Sequence, residues 1–301
     1  MTRRDSLFRQ QGRRFAVALF ACLLAACSPA PEAEVAKPAM WLVADDDTRI
    51  FLLGTMHALP AGTEWDGGEV GKAIASADEL ILELSPDQLA AVGAEFQRLA
   101  PREAPLAMDK RLPAPALAAY RTLEASGAGQ PFGGDALDDW AVMVMMGQRV
   151  AQNAALLPSN GVETGLTVQF KDAGKPIGGL ESARAQLMMF ETLDPATQRT
   201  LLTKAAAGAG DAVPTVEALT AAWARGDVKA LEAMINEDVD AVPAARATII
   251  TDRNRRWSLW AKQRMAKPGT LLVAVGAGHL VGPDGVPALL EAEGFRVTRV
   301  Q

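Results

Sequence analysis

The segments IFLLGTMH, residues 50–57, and LLVAVGAGH, residues 271–279, decide the fold of this chain. Each is a short apolar run that ends in Gly-x-x-His, and the two terminal histidines are the only histidines among 301 residues. A short apolar run that stops at a glycine is typical of a buried strand. Two rare residues in matching contexts therefore predict one site built from two distant parts of the chain.

The residues around each histidine predict the same order of elements. Residues 40–43 and 48–53 predict a hairpin before the first histidine. After each histidine the chain predicts a loop, a helix and a further strand, over 67–77 and 79–84 in the first half and over 286–293 and 295–300 in the second. Each half is typical of a βαβ unit, and we expect a parallel strand pair in each.

The region between the two units is rich in alanine and predicts helices for most of its length. A helix start is indicated at Ser85-Pro86, and another at Asp194-Pro195, because a capping side chain precedes a first-turn proline. The expected fold is thus an α/β (mixed α+β) fold, in which two βαβ-type units form a central sheet with a large helical insertion between them. Residues 40–301 are expected to form one domain.

The first residues of the chain predict export. Five arginines precede an apolar stretch, Phe15–Ala26. This stretch is shorter than the roughly 20 residues that a helix needs to span a bilayer. It ends in LAAC, residues 24–27, which resembles the lipobox of bacterial lipoproteins. We expect residues 1–26 to be a lipoprotein signal peptide and Cys27 to be lipidated; a plain signal peptide cut after an alanine is the alternative.

This leader predicts the location and chemistry of the mature chain. Residues 27–39 are rich in proline, alanine and glutamate and are expected to form a flexible tether. Serine rather than aspartate after Cys27 favours, by resemblance, a bacterial outer-membrane anchor facing the periplasm. Cys22 lies in the leader, so the mature domain has no thiol ligand and no disulfide.

The charge of the mature chain argues against nucleic acid as a partner. Removal of residues 1–26 takes away five arginines and one aspartate, which leaves 25 basic and 35 acidic residues and a net charge of −10. Binding to phosphate backbones needs clustered lysine and arginine. We therefore expect no nucleic-acid partner. The lipobox predicts membrane contact through the lipid only, and the hydrolase hypothesis given below predicts a peptide or small-molecule substrate.

Carboxylates supply candidate partners for the two histidines. Ligand sites of open α/β sheets lie outside the carboxyl ends of the strands, where His57 and His279 are expected. Glu83 interrupts the apolar strand LILEL, and a buried carboxylate there must be paired or bind a cation; an outward-facing Glu83 is the alternative. Glu181 follows a short apolar strand over 175–180, and helix capping is the alternative for it.

A catalytic metal has about three protein ligands and an open position. His57, His279, Glu83 and Glu181 are therefore the candidate ligands for a divalent ion such as Mn²⁺, Co²⁺ or Zn²⁺. The helix DRNRRW, residues 252–257, adds Arg253, one turn from Arg256 on the same face. Such an arginine can bind a substrate carboxylate or an oxyanion. Asn254 can donate a hydrogen bond beside it, whereas Arg255 is expected to face solvent.

These motifs, with the run VGAGHLVGPDGV at residues 275–286, resemble the TraB/PrgY/GumN family over about residues 40–301. That family is similar to the Tiki metalloproteases of animals and, more distantly, to erythromycin esterases and ChaN-like haem-binding proteins. The resemblance implicates His57, Glu83 and His279, together with Arg253 and Asn254. Glu163 departs from the family pattern, which has aspartate in its Gly-x-Asp segment, and its role is left open.

The expected function is a metal-dependent, peptidase-like hydrolase. The metal would lower the pKa of a bound water to near 7, and Glu83 would act as ligand or general base. The alternative is a non-enzymatic lipoprotein that sequesters a peptide or a haem-like ligand in the same two-histidine cleft. A third reading is that both Gly-x-x-His turns are purely structural. The chain has no Gly-x-Ser-x-Gly elbow and no phosphate-binding loop.

Overall fold

The computed structural model describes residues 35–240 and 242–301, and for residues 236–240 it describes the backbone alone. The expected signal peptide over 1–26, the lipidation site Cys27 and most of the expected tether lie outside the described residues. The end of the tether, residues 35–39, hydrogen-bonds to the domain. Ala36 N donates to Glu64 O over 2.7 Å, and Lys37 N donates to Ala224 O over 2.7 Å.

The described chain alternates strands with helices at both ends and is helical between them apart from one short strand. The strands are β1 (Met40–Ala44), β2 (Thr48–Thr55), β3 (Glu79–Leu84), β4 (Ile177–Glu181), β5 (Gly269–Gly276) and β6 (Val297–Arg299). The helices are α1 (Gly68–Ser76), α2 (Pro86–Leu99), α3 (Ala114–Ala125), α4 (Asp139–Asn153), α5 (Val162–Asp172), α6 (Ala183–Glu191), α7 (Pro195–Ala207), α8 (Ala212–Ala224), α9 (Val228–Asp240), α10 (Pro243–Arg246), α11 (Asp252–Met265) and α12 (Val286–Ala292).

The six strands form one mixed sheet in the order β4-β3-β5-β2-β1-β6, which confirms the mixed α+β fold with a central sheet. Strands β4, β3, β5 and β2 are mutually parallel, and β1 pairs antiparallel with β2 and β6. The predicted hairpin is therefore present.

The expectation of a parallel pair within each βαβ unit is wrong. Strand β5 of the second unit lies between β2 and β3 of the first, and β6 lies at the far edge beside β1. The two long apolar strands, β2 and β5, pair with each other, with Thr55 opposite Gly276. This arrangement places the most apolar strands in the centre, where both faces are covered. It also brings the two Gly-x-x-His turns side by side.

Helices cover both faces of the sheet. On one face a core forms from Leu53, Leu80 and Leu272 with residues of α1, α5, α8 and α9. On the other face, Leu52 and Leu271 pack against residues of α11 and α12, among them Trp257. Burial of these side chains holds the strand ends in place, and the carboxyl ends of the four parallel strands open towards the helical insertion.

The helix that carries the arginine motif is irregular at its start. Residues Ala247–Thr251 form a π-helical segment between α10 and α11. Such segments are frequent at functional sites because they reorient the residues that follow. Arg253 is the second residue of α11, directly after this segment. No helix among the described residues is long and apolar enough to cross a membrane.

Candidate active site

The four parallel strands each end in a residue of the candidate site. In sheet order these are Glu181 at the end of β4, Glu83 near the end of β3, His279 after β5 and His57 after β2. Since the carboxyl ends of parallel strands meet at one edge of a sheet, residues far apart in sequence become neighbours. The edge thus carries two imidazoles and two carboxylates.

His57 is held by the N-terminus of α5. Val162 N donates to Met56 O over 3.1 Å, and Gly161 packs so closely that an added Cβ would lie 2.1 Å from His57 O. This contact requires glycine at position 161. Glu163 Oε1 lies 2.7 Å from His57 Nδ1 and also accepts a hydrogen bond from the Thr55 hydroxyl.

The Glu163 carboxylate makes His57 a cation at neutral pH. Its charge and hydrogen bond raise the pKa of His57 from 6.5 to about 9. Burial raises the pKa of Glu163, but the His57 charge together with the hydrogen bonds from His57 and Thr55 outweighs it, so the pKa of Glu163 lies below its ordinary value. The imidazole is 72% exposed, so solvent screens the pair, while Nε2 remains open to the cleft.

Glu83 is a buried carboxylate that accepts hydrogen bonds on both oxygens, so the outward-facing alternative is wrong. Oε1 accepts from Gly276 N over 2.9 Å. Oε2 accepts from Arg253 over 2.5 Å and from Gln186 Nε2 over 3.0 Å. Burial raises the pKa of Glu83, but the charge of Arg253 and these hydrogen bonds lower it overall to about 2. Glu83 is therefore an anion across the physiological range.

Arg253 is the centre of the polar network. Its Nε and Nη2 atoms form a two-pronged contact with Glu181, over 3.0 and 2.8 Å, and Nη2 also donates to Glu83. Nη1 lies 2.9 Å from His279 Nε2, and the guanidinium stacks over Trp257 at 4.6 Å. The planar fork of arginine matches two carboxylates at once. Arg253 thus neutralises the buried acids, and Gln186, which also bonds Glu181, supports them.

His279 is neutral, and its tautomer follows from its neighbours. An arginine can only donate, so Nε2 of His279 accepts from Arg253 and Nδ1 carries the proton. Nδ1 then donates to Asn254 Oδ1 over 2.7 Å, and the Asn254 amide is oriented by its own bond to Asp284 O over 2.8 Å. Burial, opposed by the Glu83 charge and assisted by the Arg253 charge, lowers the pKa of His279 to about 3. Trp257 packs 4.5 Å from the imidazole.

His57 and Glu83 face a common point in the cleft. A Cβ added to Gly276 would lie 3.3 Å from Glu83 Oε1, 3.7 Å from His279 Cδ2 and 3.9 Å from His57 Nε2. A small molecule near this point can contact both the cationic imidazole and the carboxylate. Two clefts adjoin it, and both are lined by His57 and Glu83.

The first cleft, here called the histidine cleft, has a volume of about 370 Å³ and also includes His279. Its outer wall is apolar and includes Leu219, Leu231 and Ile235. The second, here called the α2–α5 groove, has a volume of about 650 Å³ and runs between helices α2 and α5. Volumes of this size are typical of ligand sites, which combine mainly apolar walls with a few polar groups.

The donor atoms do not fit the expected four-ligand metal site as they are arranged. Both nitrogens of His279 and both carboxylate oxygens of Glu181 are hydrogen-bonded inside the network. Of the expected ligand atoms, His57 Nε2 and Glu83 Oε1 both lie within 4 Å of a Cβ added to Gly276, and Glu83 Oε1 also accepts a hydrogen bond from Gly276 N. Among residues 35–240 and 242–301, no group of three or more His, Cys, Asp or Glu is placed to hold a metal ion. The metal stays a prediction.

The structure brings together all six residues singled out from the sequence as catalytic or metal-binding, namely His57, Glu83, Glu181, Arg253, Asn254 and His279. Arg253 and Asn254 point inward and position other side chains. Arg255 is exposed and bonds Asp252, as expected. Sequence reasoning missed Gln186 and Trp257, although Trp257 lies one helical turn from Arg253, and it left the role of Glu163 open.

Fold and site together define a mixed α/β protein with a two-histidine, carboxylate-lined cleft at the carboxyl ends of parallel strands. A profile of the TraB/PrgY/gumN family matches residues 39–299. The chain therefore belongs to the TraB/PrgY/gumN family. The comparisons found no matching curated protein and no matching solved structure.

Proposed function

We propose that the protein is a hydrolase of peptide-like substrates in which His57 and Glu83 are the catalytic pair. The observation that carries the proposal is the common point beside Gly276, which faces Nε2 of His57 and Oε1 of Glu83. One group is a cation with a transferable proton, and the other is an anion. Pairs of titratable groups whose environments push their pKa values apart are typical of acid–base catalysis.

The reaction follows from these charges. A water molecule beside Glu83 Oε1 attacks the carbonyl carbon of the substrate and gives its proton to the carboxylate. His57 Nε2 donates its proton to the leaving nitrogen as the carbon–nitrogen bond breaks. The products are a carboxylic acid and an amine, and the proton on Glu83 returns through solvent to His57, which restores the pair. Proton transfer by positioned groups of this kind contributes about 10²–10⁴-fold in rate.

The other residues of the network act through this pair. Glu163 fixes the ring orientation of His57. Arg253 and the backbone N of Gly276 fix the orientation of the Glu83 carboxylate. His279 and Asn254 hold Arg253 on its far side. A preorganised set of charges costs no reorganisation when the reaction occurs, which is the main source of electrostatic catalysis.

The metal-dependent form of the hydrolase has its own test. A divalent ion would need ligands beyond His57 and Glu83, so no step above depends on it. Elemental analysis after purification in the presence of Mn²⁺, Co²⁺ or Zn²⁺ tests the prediction directly. Metal bound in stoichiometric amount, and lost in His57→Gln, would support a metal site. The absence of bound metal at every supply would overturn it.

Peptide hydrolysis is tested by incubating the protein with a library of apolar peptides and measuring the products by mass spectrometry. Cleavage by the wild type, lost in His57→Gln and kept in the control Glu217→Gln, would support the proposal. Glu217 is an exposed glutamate on α8 outside both clefts. Binding without products would instead favour the sequestering alternative, which the same apolar walls could serve.

We further propose that the protein is a lipoprotein anchored through Cys27 and facing the periplasm. The LAAC run and the absence of other cysteines after it support this proposal. Radiolabelled palmitate should enter the wild type but not Cys27→Ala, and fractionation should move the variant from the membrane to the soluble periplasmic fraction. Unchanged fractionation and no label in the wild type would contradict it.

A further inference from the structure

The α2–α5 groove has an apolar wall that is left open to solvent. Leu89 on α2 is 58% exposed and Val168 on α5 is 53% exposed, and both line this groove. Large side chains left exposed in one concave patch mark binding surfaces more often than scattered single ones do. The groove starts at the catalytic pair, since His57 and Glu83 also line it.

One lysine contributes a positive charge to the groove at a distance from the catalytic pair. Thr164, Thr167, Val168 and Lys171 follow one another at helical spacing and line the groove from a single face of α5. Lys171 lies near the C-terminal end of that face and is exposed. The acidic residues that line the groove, Glu83 and Glu163, lie at its other end and are engaged by Arg253 and His57.

Helix geometry sets the length of substrate that fits. Glu163, which contacts His57, and Lys171 are eight residues apart on α5, a separation of about 12 Å at 1.5 Å per residue. An extended peptide rises about 3.3 Å per residue. Three to four residues therefore span the groove from the catalytic pair to Lys171. The Thr167 hydroxyl and the carboxamide oxygen of Gln186, whose Nε2 already donates to Glu83 and Glu181, can hydrogen-bond a peptide backbone.

From this arrangement we infer that the α2–α5 groove binds the C-terminal segment of an apolar peptide, with Lys171 binding its free terminal carboxylate. This inference rests on the proposed function and adds the orientation in which the peptide binds. The residues between the scissile bond and the C-terminus occupy the groove, and cleavage releases a fragment of three to four residues. Lys171 is thus a specificity-determining residue and takes no part in the chemistry.

The test compares binding of two synthetic peptides that differ only at the C-terminus. The probes are two forms of one acetylated hexapeptide made of leucine, valine and alanine. One form has a free C-terminal carboxylate, and the other has a C-terminal amide. Their dissociation constants are measured by calorimetry for the wild type, for Lys171→Met and for the control Lys204→Met. Lys204 is an exposed lysine in the last turn of α7 outside the groove, so its replacement changes the net charge equally.

We expect the wild type and Lys204→Met to bind the free acid about tenfold more tightly than the amide, in line with a charge-assisted hydrogen bond. Lys171→Met should lose this preference, and the preference should fall as salt is added, because the site is exposed. Equal binding of both peptides by the wild type would overturn the inference, as would an unchanged preference in Lys171→Met. Laurate is an apolar carboxylate without a peptide backbone. If it competes for the groove as effectively as the free-acid peptide does, the assignment of a peptide as the ligand is overturned.

The two proposals fail in distinguishable ways. Free-acid preference without any cleavage would leave the Lys171 site standing and overturn the hydrolase. Cleavage of acid and amide at equal rates, with products of every length, would leave the hydrolase standing and overturn the Lys171 site.

Discussion

Replacement of Arg253 should both destabilise the fold and make its stability depend on pH in a new way. Arg253→Met keeps the length of the side chain but removes the contacts to Glu83, Glu181 and His279. Breaking a buried ion pair by removing one partner costs about 3–5 kcal/mol, because a charge is left buried without compensation. Glu83 keeps only its hydrogen bonds from Gln186 and Gly276, and Glu181 keeps Arg256 at 3.7 Å, so we expect a loss within this range at pH 7.

The loss should shrink as the pH falls. Without Arg253 the pKa of Glu83 rises from about 2, since the largest effect that opposes burial is then lost and only the histidine charges and the Gly276 N hydrogen bond remain. One of the two carboxyl groups can then take up a proton and remove the repulsion. The difference in unfolding free energy between wild type and Arg253→Met should therefore be smaller at pH 5 than at pH 7. Arg253→Lys should lose less than Arg253→Met, since an ammonium keeps the charge but not the fork.

The assay is urea unfolding at both pH values, followed by circular dichroism and extrapolated linearly to water. Arg255→Met is the matched control. Arg255 lies on the same helix, but it is exposed and forms a solvent-exposed ion pair with Asp252. Its effect should stay within about 0.5 kcal/mol. A deficit for Arg253→Met below about 1 kcal/mol, or one that is equal at both pH values, would refute the role given to Arg253.

Three further predictions concern the cleft and its titrating groups. Gly276→Ala should abolish peptide binding and cleavage, because the new methyl group lies 3.3 Å from Glu83 Oε1 at the point where the substrate binds. It should change the unfolding free energy by less than about 1 kcal/mol, because a φ of −48° suits alanine. Unchanged binding constants would show that the substrate avoids this point. The cleavage rate should fall as the pH rises through about 9, where His57 loses its proton, and a pH–rate profile that keeps rising there would remove His57 as the acid. In the background of His57→Gln, which removes the opposing titration of His57, the titration of His279 should make the protein about 2 kcal/mol less stable at pH 5 than at pH 7. The folded pKa of His279, about 3, lies below 6.5, so its contribution to stability is present above pH 6.5 and is lost as the pH falls towards 3. An unfolding free energy that does not change over this range would contradict a buried neutral imidazole.

The local elements of the site could be predicted from the sequence. The apolar runs before His57 and His279 have the length and composition of buried strands, and both form strands β2 and β5. The carboxylate in the middle of LILEL indicated a paired Glu83, because an unpaired one would be too costly to bury. Local patterns suffice for such conclusions, since they depend on side chains a few residues apart.

The long-range arrangement could not be predicted in the same way. Nothing near residues 79–84 indicates that β5 rather than β2 pairs with β3. That choice depends on which strands are buried most deeply in the finished sheet. For the same reason Arg253, in a run of three arginines, gave no local sign that it alone is buried. Its partners, Glu83 and Glu181, come from strands that are 170 and 72 residues away.

The role of Glu163 shows how one local departure is resolved by tertiary structure. The resemblance led us to expect aspartate at this position, and the glutamate side chain reaches both Thr55 and His57 from the first turn of α5. The Gly161 backbone lies against His57 O, which sets the distance that the carboxylate must cover. Neither contact is visible from the spacing of residues along the chain.

The central claim is that His57 and Glu83 act as one catalytic unit, and a double-mutant cycle on peptide cleavage tests it most directly. Rates for the wild type, His57→Gln, Glu83→Gln and the double variant are measured by mass spectrometry of the released fragments. Residues that act as a unit are strongly non-additive. Each single variant should lose about 10²–10⁴-fold in rate, and the double variant should be little worse than either. Independent, additive losses, or cleavage by the double variant at the wild-type rate, would contradict the account.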